Sequence, residues 1–147
     1  MKLYTLGFGG KNAENFFSTL ELAGVKTLVD IRLNNRSQLA GFTKAGDLEF
    51  FLAKISGITY CHYPQLAPEK ELLEAIRSKK IDWDVYTQRF EALLQQRKAD
   101  SFLKKELKTL TMPLCLLCSE PEATYCHRRL VAERIQKLFP KTEIIHL

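Results

Sequence analysis

Residues 113 to 129 read PLCLLCSEPEATYCHRR, placing three of the chain's four cysteines beside Glu120, His127 and two arginines. Thiols, an imidazole and guanidinium groups in one short span suit metal ligation, thiol exchange or nucleophilic catalysis, and spacing separates these options. Cys115 and Cys118 form a C-x-x-C, but LCLLC reads as a strand, where positions three apart face opposite sides. A redox pair needs the turn into a helix, and a zinc knuckle needs a tight turn and a second ligand pair. Cys115 therefore reads as a core residue. Cys118 lies near the strand's carboxyl end, with Glu120 two residues on and facing the same side if the strand continues. Cys126, His127 and Arg128 fall near the start of the next helix, where the helix dipole and neighbouring cations lower a thiol's pKa. Either Cys118 or Cys126 is then a candidate nucleophile, with His127 as acid or base; the alternative for Cys118 is an inert core thiol.

Two further chemistries fit poorly. A phosphatase-type thiolate loop wants an arginine at a fixed short distance, and Cys118 to Arg128 is too long while Cys126 to Arg128 is too short. A zinc site built from Cys118, Cys126, His127 and the Cys61–His62 pair has suitable ligands without paired knuckles, so no metal is expected. His62 reads instead as a strand residue with a local hydrogen-bond partner.

Other strand ends add polar groups. After the first strand comes GFGG, in which Gly7 and Gly9 either let the backbone approach an anion at a helix N-terminus or simply make a turn. The stretch lacks both the Gly-Lys-Ser/Thr of a P-loop and the full G-x-G-x-x-G pattern. After the second strand, Asp30 and Arg32 share a side, forming either a self-neutralising pair or the carboxylate and anion clamp of a site. Residues 33–46 then make a connection longer than the roughly 2–6 residues typical there. Its candidate ligand contacts are Asn34, Asn35, Ser37, Phe42 and Lys44, with Arg36, Gln38 and Thr43 also able to hydrogen-bond, and the internal QLAGF supplies apolar residues for docking.

These groups must be held by the elements around them. KLYTLG, VKTLVDIR, ITYCHYP, PLCLLCSE and TEIIHL read as strands. Asn12 caps a helix with Ala13, Phe16, Phe17 and Leu20 on one face, ended by Gly24. Asp47 is expected to cap another, carrying Leu48, Phe51, Leu52 and Ile55 before Gly57. Residues 68–110 read as two or three helices, and much of 123–139 as a last one, which Pro140 helps to stop. The order predicts an α/β fold: a mostly parallel sheet of about five strands, helices on both faces, and a helical insertion before strand four. No repeat or linker divides residues 1–147, so a single α/β domain is expected. In such sheets ligands bind beyond the strands' carboxyl ends.

Composition sets the surroundings. The chain has 147 residues, 46% of them hydrophobic, and carries a net charge of +5. No apolar run approaches the ~20 residues of a membrane span, and the opening MKLYTLGFGGK has too short an apolar run for a signal peptide. A cytoplasmic protein with reduced thiols and no membrane partner is expected. The mild positive charge suits either a polyanion or a solvated basic surface.

YTLGFG, LVDIRLNNRSQLAGFTK, ITYCHYPQLAP and LLCSEPEATYCHRRLVAE resemble the family catalogued as domain of unknown function 488, over nearly the whole chain. The resemblance implies that Asp30, Arg32, Cys118, Glu120, Cys126, His127 and Arg128 belong to the family's signature and gather in one pocket. It implies no particular reaction or cofactor. Many members carry His and Ser where this chain has Phe8 and Gly9, so a mechanism built on that histidine is unsupported here.

Two readings follow. One is a hydrolase or transferase acting on an anionic substrate, a nucleotide or nucleic acid. Arg32, Arg128, Gly7 and Gly9 would hold the anion; Asp30 or Glu120 would act as base, His127 would exchange protons, and Cys118 would attack. The other is a non-catalytic nucleotide- or nucleic-acid-binding regulatory module, whose binding would weaken steeply with salt. A weaker third is a scaffold using the apolar faces of the 68–110 helices.

Overall fold

The strands are apolar because they are covered on both sides. Their alternate residues feed two separate cores, and a computed structural model describes them through residues 1–37 and 40–147. The elements in chain order are β1 (Lys2–Gly7), α1 (Ala13–Leu22), β2 (Thr27–Asp30), α2 (Ala45–Phe51), β3 (Thr59–His62), α3 (Lys70–Arg77), α4 (Trp83–Gln96), α5 (Ala99–Glu106), β4 (Leu114–Cys118), α6 (His127–Leu138) and β5 (Glu143–His146). The five strands form one parallel sheet in the order β3-β2-β4-β1-β5. Tyr4, Leu6, Leu28, Cys115 and Leu117 pack under α1 and α2, while Leu3, Val29, Leu114 and Leu116 pack under α3 to α6. The large helical insertion, α3 to α5, lies between β3 and β4. No helix of the described residues is long and apolar enough to cross a membrane.

Several boundaries differ from the sequence expectation. Asp47 does not cap α2: Lys44 holds the cap position and Asp47 sits in the first turn, where its charge still suits the helix dipole. The long connection after β2 is shortened by a 3₁₀ turn, Gly41–Thr43, and by the start of α2. Gln38, and with it part of the QLAGF docking segment, lies outside the described residues. Helix α6 starts at His127, with Cys126 at its cap position, rather than near residue 123.

This topology creates the crevice. The chain leaves β1 and β2 towards the α1–α2 face and leaves β4 towards the α6 face. Neighbouring connections therefore diverge at the carboxyl ends of β1, β4 and β2, which is the place where open parallel sheets take ligands.

Candidate functional site

Cys118 ends β4 and faces α6; it is buried, and so are Cys126 and His127. Cys118 Sγ lies 3.6 Å from His127 Nδ1, and His127 Nε2 lies 2.8 Å from the Ile31 carbonyl oxygen. Because that carbonyl only accepts, Nε2 carries a proton and Nδ1 is the atom turned to sulfur. The ring is further held edge-on against Phe90, 5.8 Å between centroids. A hydrogen bond from the Cys126 thiol brings the Cys118 thiol well below its ordinary pKa; burial opposes this, and His127 adds to it. Cys126 is pushed up by the same bond and by burial, so it keeps its proton. Burial works against a charged His127, yet the Cys118 sulfur and the Ile31 carbonyl leave its pKa raised. Both shifts favour charge separation, Cys118 towards thiolate and His127 towards imidazolium, with the ring oriented by a backbone oxygen.

Asp30 and Arg32 resolve into the self-neutralising pair. Asp30 Oδ1 accepts from Arg32 Nε at 2.9 Å and from Arg32 N at 3.1 Å, and Oδ2 accepts from Arg32 Nη2 at 2.8 Å and from the Tyr60 hydroxyl at 2.7 Å. Asp30 is 0% and Arg32 5% exposed, so the pair replaces water with a full set of charge-assisted bonds. Arg32 also donates to the Thr43 carbonyl at 2.6 Å, and its guanidinium carbon lies 5.1 Å from the Phe8 ring. Asn35 Nδ2 donates to Tyr60 Oη at 3.1 Å, extending the network into the connection after β2. Burial and the Asp30 carboxylate push the Tyr60 pKa up, keeping its donor proton in place. A carboxylate so saturated has no lone pair left for general-base work.

Arg128 is similarly committed. It is 1% exposed, with Nη1 donating to the Glu120 carbonyl at 2.5 Å, Nη2 to the Pro121 carbonyl at 3.1 Å and Nε to Thr5 Oγ1 at 3.3 Å. Its expected role as an anion clamp gives way to that of a strut holding the 119–121 turn. Gly7 and Gly9 serve the same turn. A β-carbon on Gly9 would come within 2.7 Å of the Ser119 carbonyl oxygen. The Gly9 and Phe8 amides donate to the carbonyls of Ser119 and Cys118 at 2.9 and 3.2 Å. The glycine cradle is filled by the chain itself rather than left open for an anion.

A cleft of about 300 Å³ opens over these groups, lined by Arg32, Asn34, Lys70, Arg77, Cys118 and His127, with Glu74, Ser119 and Glu120 also on its wall. Lys70 and Arg77 are exposed and seven residues apart on α3, hence on one face of the helix. Sequence reasoning missed both, because nothing local distinguishes them from other surface cations; only the return of the insertion over the strand ends brings them here. Tyr60 and Thr43 were also missed as partners of the Asp30–Arg32 pair. Their signal was the buried acid itself, which demanded partners.

Some expected ligand contacts lie elsewhere. Phe42 packs against Phe16 and Phe17, with centroids 5.4 and 6.3 Å away, in the aromatic cluster between α1 and α2. Lys44 starts α2, and Ser37 is exposed but not on the cleft wall. Cys61 approaches the Leu28 carbonyl at 3.9 Å and is pushed up to about 11 by burial, while His62 Nε2 contacts the Arg32 carbonyl at 2.8 Å. Neither joins the Cys118, Cys126 and His127 cluster among the described residues.

The family model described as Domain of unknown function DUF488 matches residues 12–135, a span containing every one of these side chains except those of β1 and its following turn. The chain belongs to the DUF488 family. No curated protein and no solved structure matches it significantly. In this DUF488 protein Phe8 lies before the matched span, and its ring sits over the Arg32 guanidinium.

Proposed function

We propose that this protein is a hydrolase or transferase acting on an anionic substrate, a nucleotide or nucleic acid, in the cleft at the carboxyl ends of the strands. The observation that carries the reading is the line from Cys118 Sγ through His127 to the Ile31 carbonyl, on the wall of a cleft with Lys70 and Arg77 at its rim. Nucleophile, proton carrier and orienting group stand in the order that covalent catalysis requires.

The step runs as follows. Cys118 Sγ donates an electron pair to the substrate's electrophilic carbon or phosphorus, and the bond to the leaving group breaks. The leaving group takes the proton from His127 Nδ1. Water in a hydrolase, or an acceptor hydroxyl in a transferase, then displaces the thiolate and returns its proton to His127. Lys70 and Arg77 hold the anion as exposed charges, while Arg32, whose donors are taken by Asp30 and Thr43, stays part of the cleft wall. Glu120, exposed at the wall, is the carboxylate available to orient the second nucleophile.

A thermal-shift panel of nucleotides, sugar phosphates and short nucleic acids tests this on the wild type and on Lys70→Ala/Arg77→Ala. A ligand at a hundred times its dissociation constant adds about 2.7 kcal/mol, roughly 5–10 °C in melting temperature for a chain of this size. The expected result is a shift that disappears in the double variant, followed by turnover of that ligand class that Cys118→Ala abolishes. Turnover that persists in Cys118→Ala sinks the covalent mechanism.

The non-catalytic binding module has one observation in its favour: Asp30, Arg32 and Arg128 are all consumed by internal bonds, leaving exposed cations as the main ligand contacts. Binding that weakens steeply with salt, without turnover, would select it.

A further inference from the structure

We propose that Cys118, Cys126 and His127 form a binding site for a thiophilic d10 cation, zinc or cuprous copper, with two sulfurs and one imidazole nitrogen as ligands. One donor atom from each residue lies within 4.8 Å of the other two, and all three residues are buried. The Cys118 Sγ to His127 Nδ1 distance is 3.6 Å. Two ligands at about 2.3 Å (sulfur) and 2.0–2.1 Å (nitrogen) from a tetrahedral zinc ion lie roughly 3.6 Å apart, so this edge already has the required length.

The outer contacts favour the same assignment. His127 Nε2 donates to the Ile31 carbonyl at 2.8 Å, an outer-shell bond of the kind that fixes a ligating histidine's tautomer and leaves Nδ1 facing the ion. The ligands sit at the end of β4 and at the cap and first residue of α6. On binding, the ion displaces the protons of the Cys126 thiol and of His127 Nδ1 into solvent, and the two thiolates then neutralise a divalent ion, which allows burial without a further counter-charge. Sulfur and imidazole donors select zinc or cuprous copper over magnesium or calcium. Cys118 and His127 also line the cleft, so a fourth coordination position faces it, as in zinc sites that keep one position open.

This inference is independent of the proposed reaction. A bound ion occupies the sulfur that the reaction uses as nucleophile, so the loaded form is blocked in that chemistry whatever the substrate.

The test is cobalt titration of reduced, chelator-stripped protein. The expected result is a thiolate-to-cobalt charge-transfer band with the strong visible bands of tetrahedral cobalt, saturating at a single ion per chain. Zinc or cuprous ion should displace the cobalt, and magnesium should not. Cys126→Ser should weaken cobalt binding beyond the roughly 10–100-fold that losing an outer-shell partner costs, while Cys61→Ser leaves it unchanged. No charge-transfer band, or a band lost in Cys61→Ser and retained in Cys126→Ser, overturns the proposal. Should Cys126→Ser fail to fold, alkylation of the wild type read peptide by peptide still decides. With labelling carried to completion at Cys118 in the metal-free protein, zinc must protect Cys118, which lines the cleft, but not Cys61, and labelling of Cys118 at the same rate with and without zinc overturns the site. Neither negative result touches the nucleophile reading, which is tested by turnover of the metal-free protein.

Discussion

Gly7 and the Glu120 carbonyl approach so closely that a β-carbon on Gly7 would lie 1.6 Å from that oxygen and 2.9 Å from Arg128 Nη1. The end of β1 thus serves as the floor for the turn after β4, and Arg128 clasps the turn from the other side.

Gly7→Ala must therefore displace backbone rather than the tip of a flexible side chain. The expected loss is about 3 kcal/mol or more, a fall in melting temperature of roughly 10 °C. Gly46→Ala is the control. Nothing lies within 4 Å of its added carbon and it sits in α2, so helix propensity predicts no loss and up to about 1 kcal/mol of gain. Equal melting temperatures for Gly7→Ala and wild type would show that the turn is not held against β1.

The Asp30–Arg32 pair makes a second prediction. Arg32→Ala leaves a fully buried carboxylate with only Tyr60 and a backbone amide, which should cost about 3–5 kcal/mol. Adding Asp30→Asn to that variant should recover much of the loss, because the uncompensated charge has gone. Chemical denaturation of the single and double variants checks this; strictly additive losses would contradict a coupled pair.

How far the sequence revealed all this depended on where the partners lay. The strands and helix faces were legible because apolar spacing is local: Phe16, Phe17 and Leu20 declare one face of α1 without reference to anything else. The family signature likewise pointed to Cys118, Cys126 and His127, which the fold does bring together. What was not legible needed the strand order. Only with β4 between β1 and β2 does the 119–121 turn fall onto Gly7 and Gly9, turning an expected anion loop into a packing surface. Arg128 was misjudged for a related reason: a helix-start arginine answered by carbonyls looks, in sequence, the same as one awaiting a phosphate. Lys70 and Arg77 reach the cleft through the tertiary path of the insertion, which no local pattern records.

A pH dependence follows from the β1–β5 edge. His146 Nδ1 lies 2.7 Å from Thr5 Oγ1, whose lone pair already accepts from Arg128 Nε at 3.3 Å, so the hydroxyl proton points to a neutral imidazole. Burial, then Arg128 and Arg129, lower the His146 pKa, with Glu133 opposing. The unfolded chain therefore binds the proton more readily than the folded one. The stabilisation is fully present above about pH 6.5, the unfolded value, and is lost as pH falls through the lower folded value. The difference in unfolding free energy between wild type and His146→Gln should shift against the wild type on acidification through this window. A pH-independent difference would rule the histidine out as the source.

The cleft itself gives the kinetic prediction. On the proposed reading, Lys70 and Arg77 are solvated charges that would touch the ligand equally before and during reaction. Alanine at either should therefore raise KM with kcat little changed, and added salt should do the same to the wild type. In the proposed step His127 would act on the proton in flight, so His127→Gln should keep KM and lower kcat by about 10²–10⁴. The His127 variant is read only after circular dichroism shows it folded, since its ring packs on Phe90 and holds the Ile31 carbonyl. Split effects of this kind place the anion at α3 and the chemistry at the end of β4. If His127→Gln moved KM alone, the imidazole would be a binding group, and the Cys118 sulfur would lose the partner on which its role as nucleophile depends.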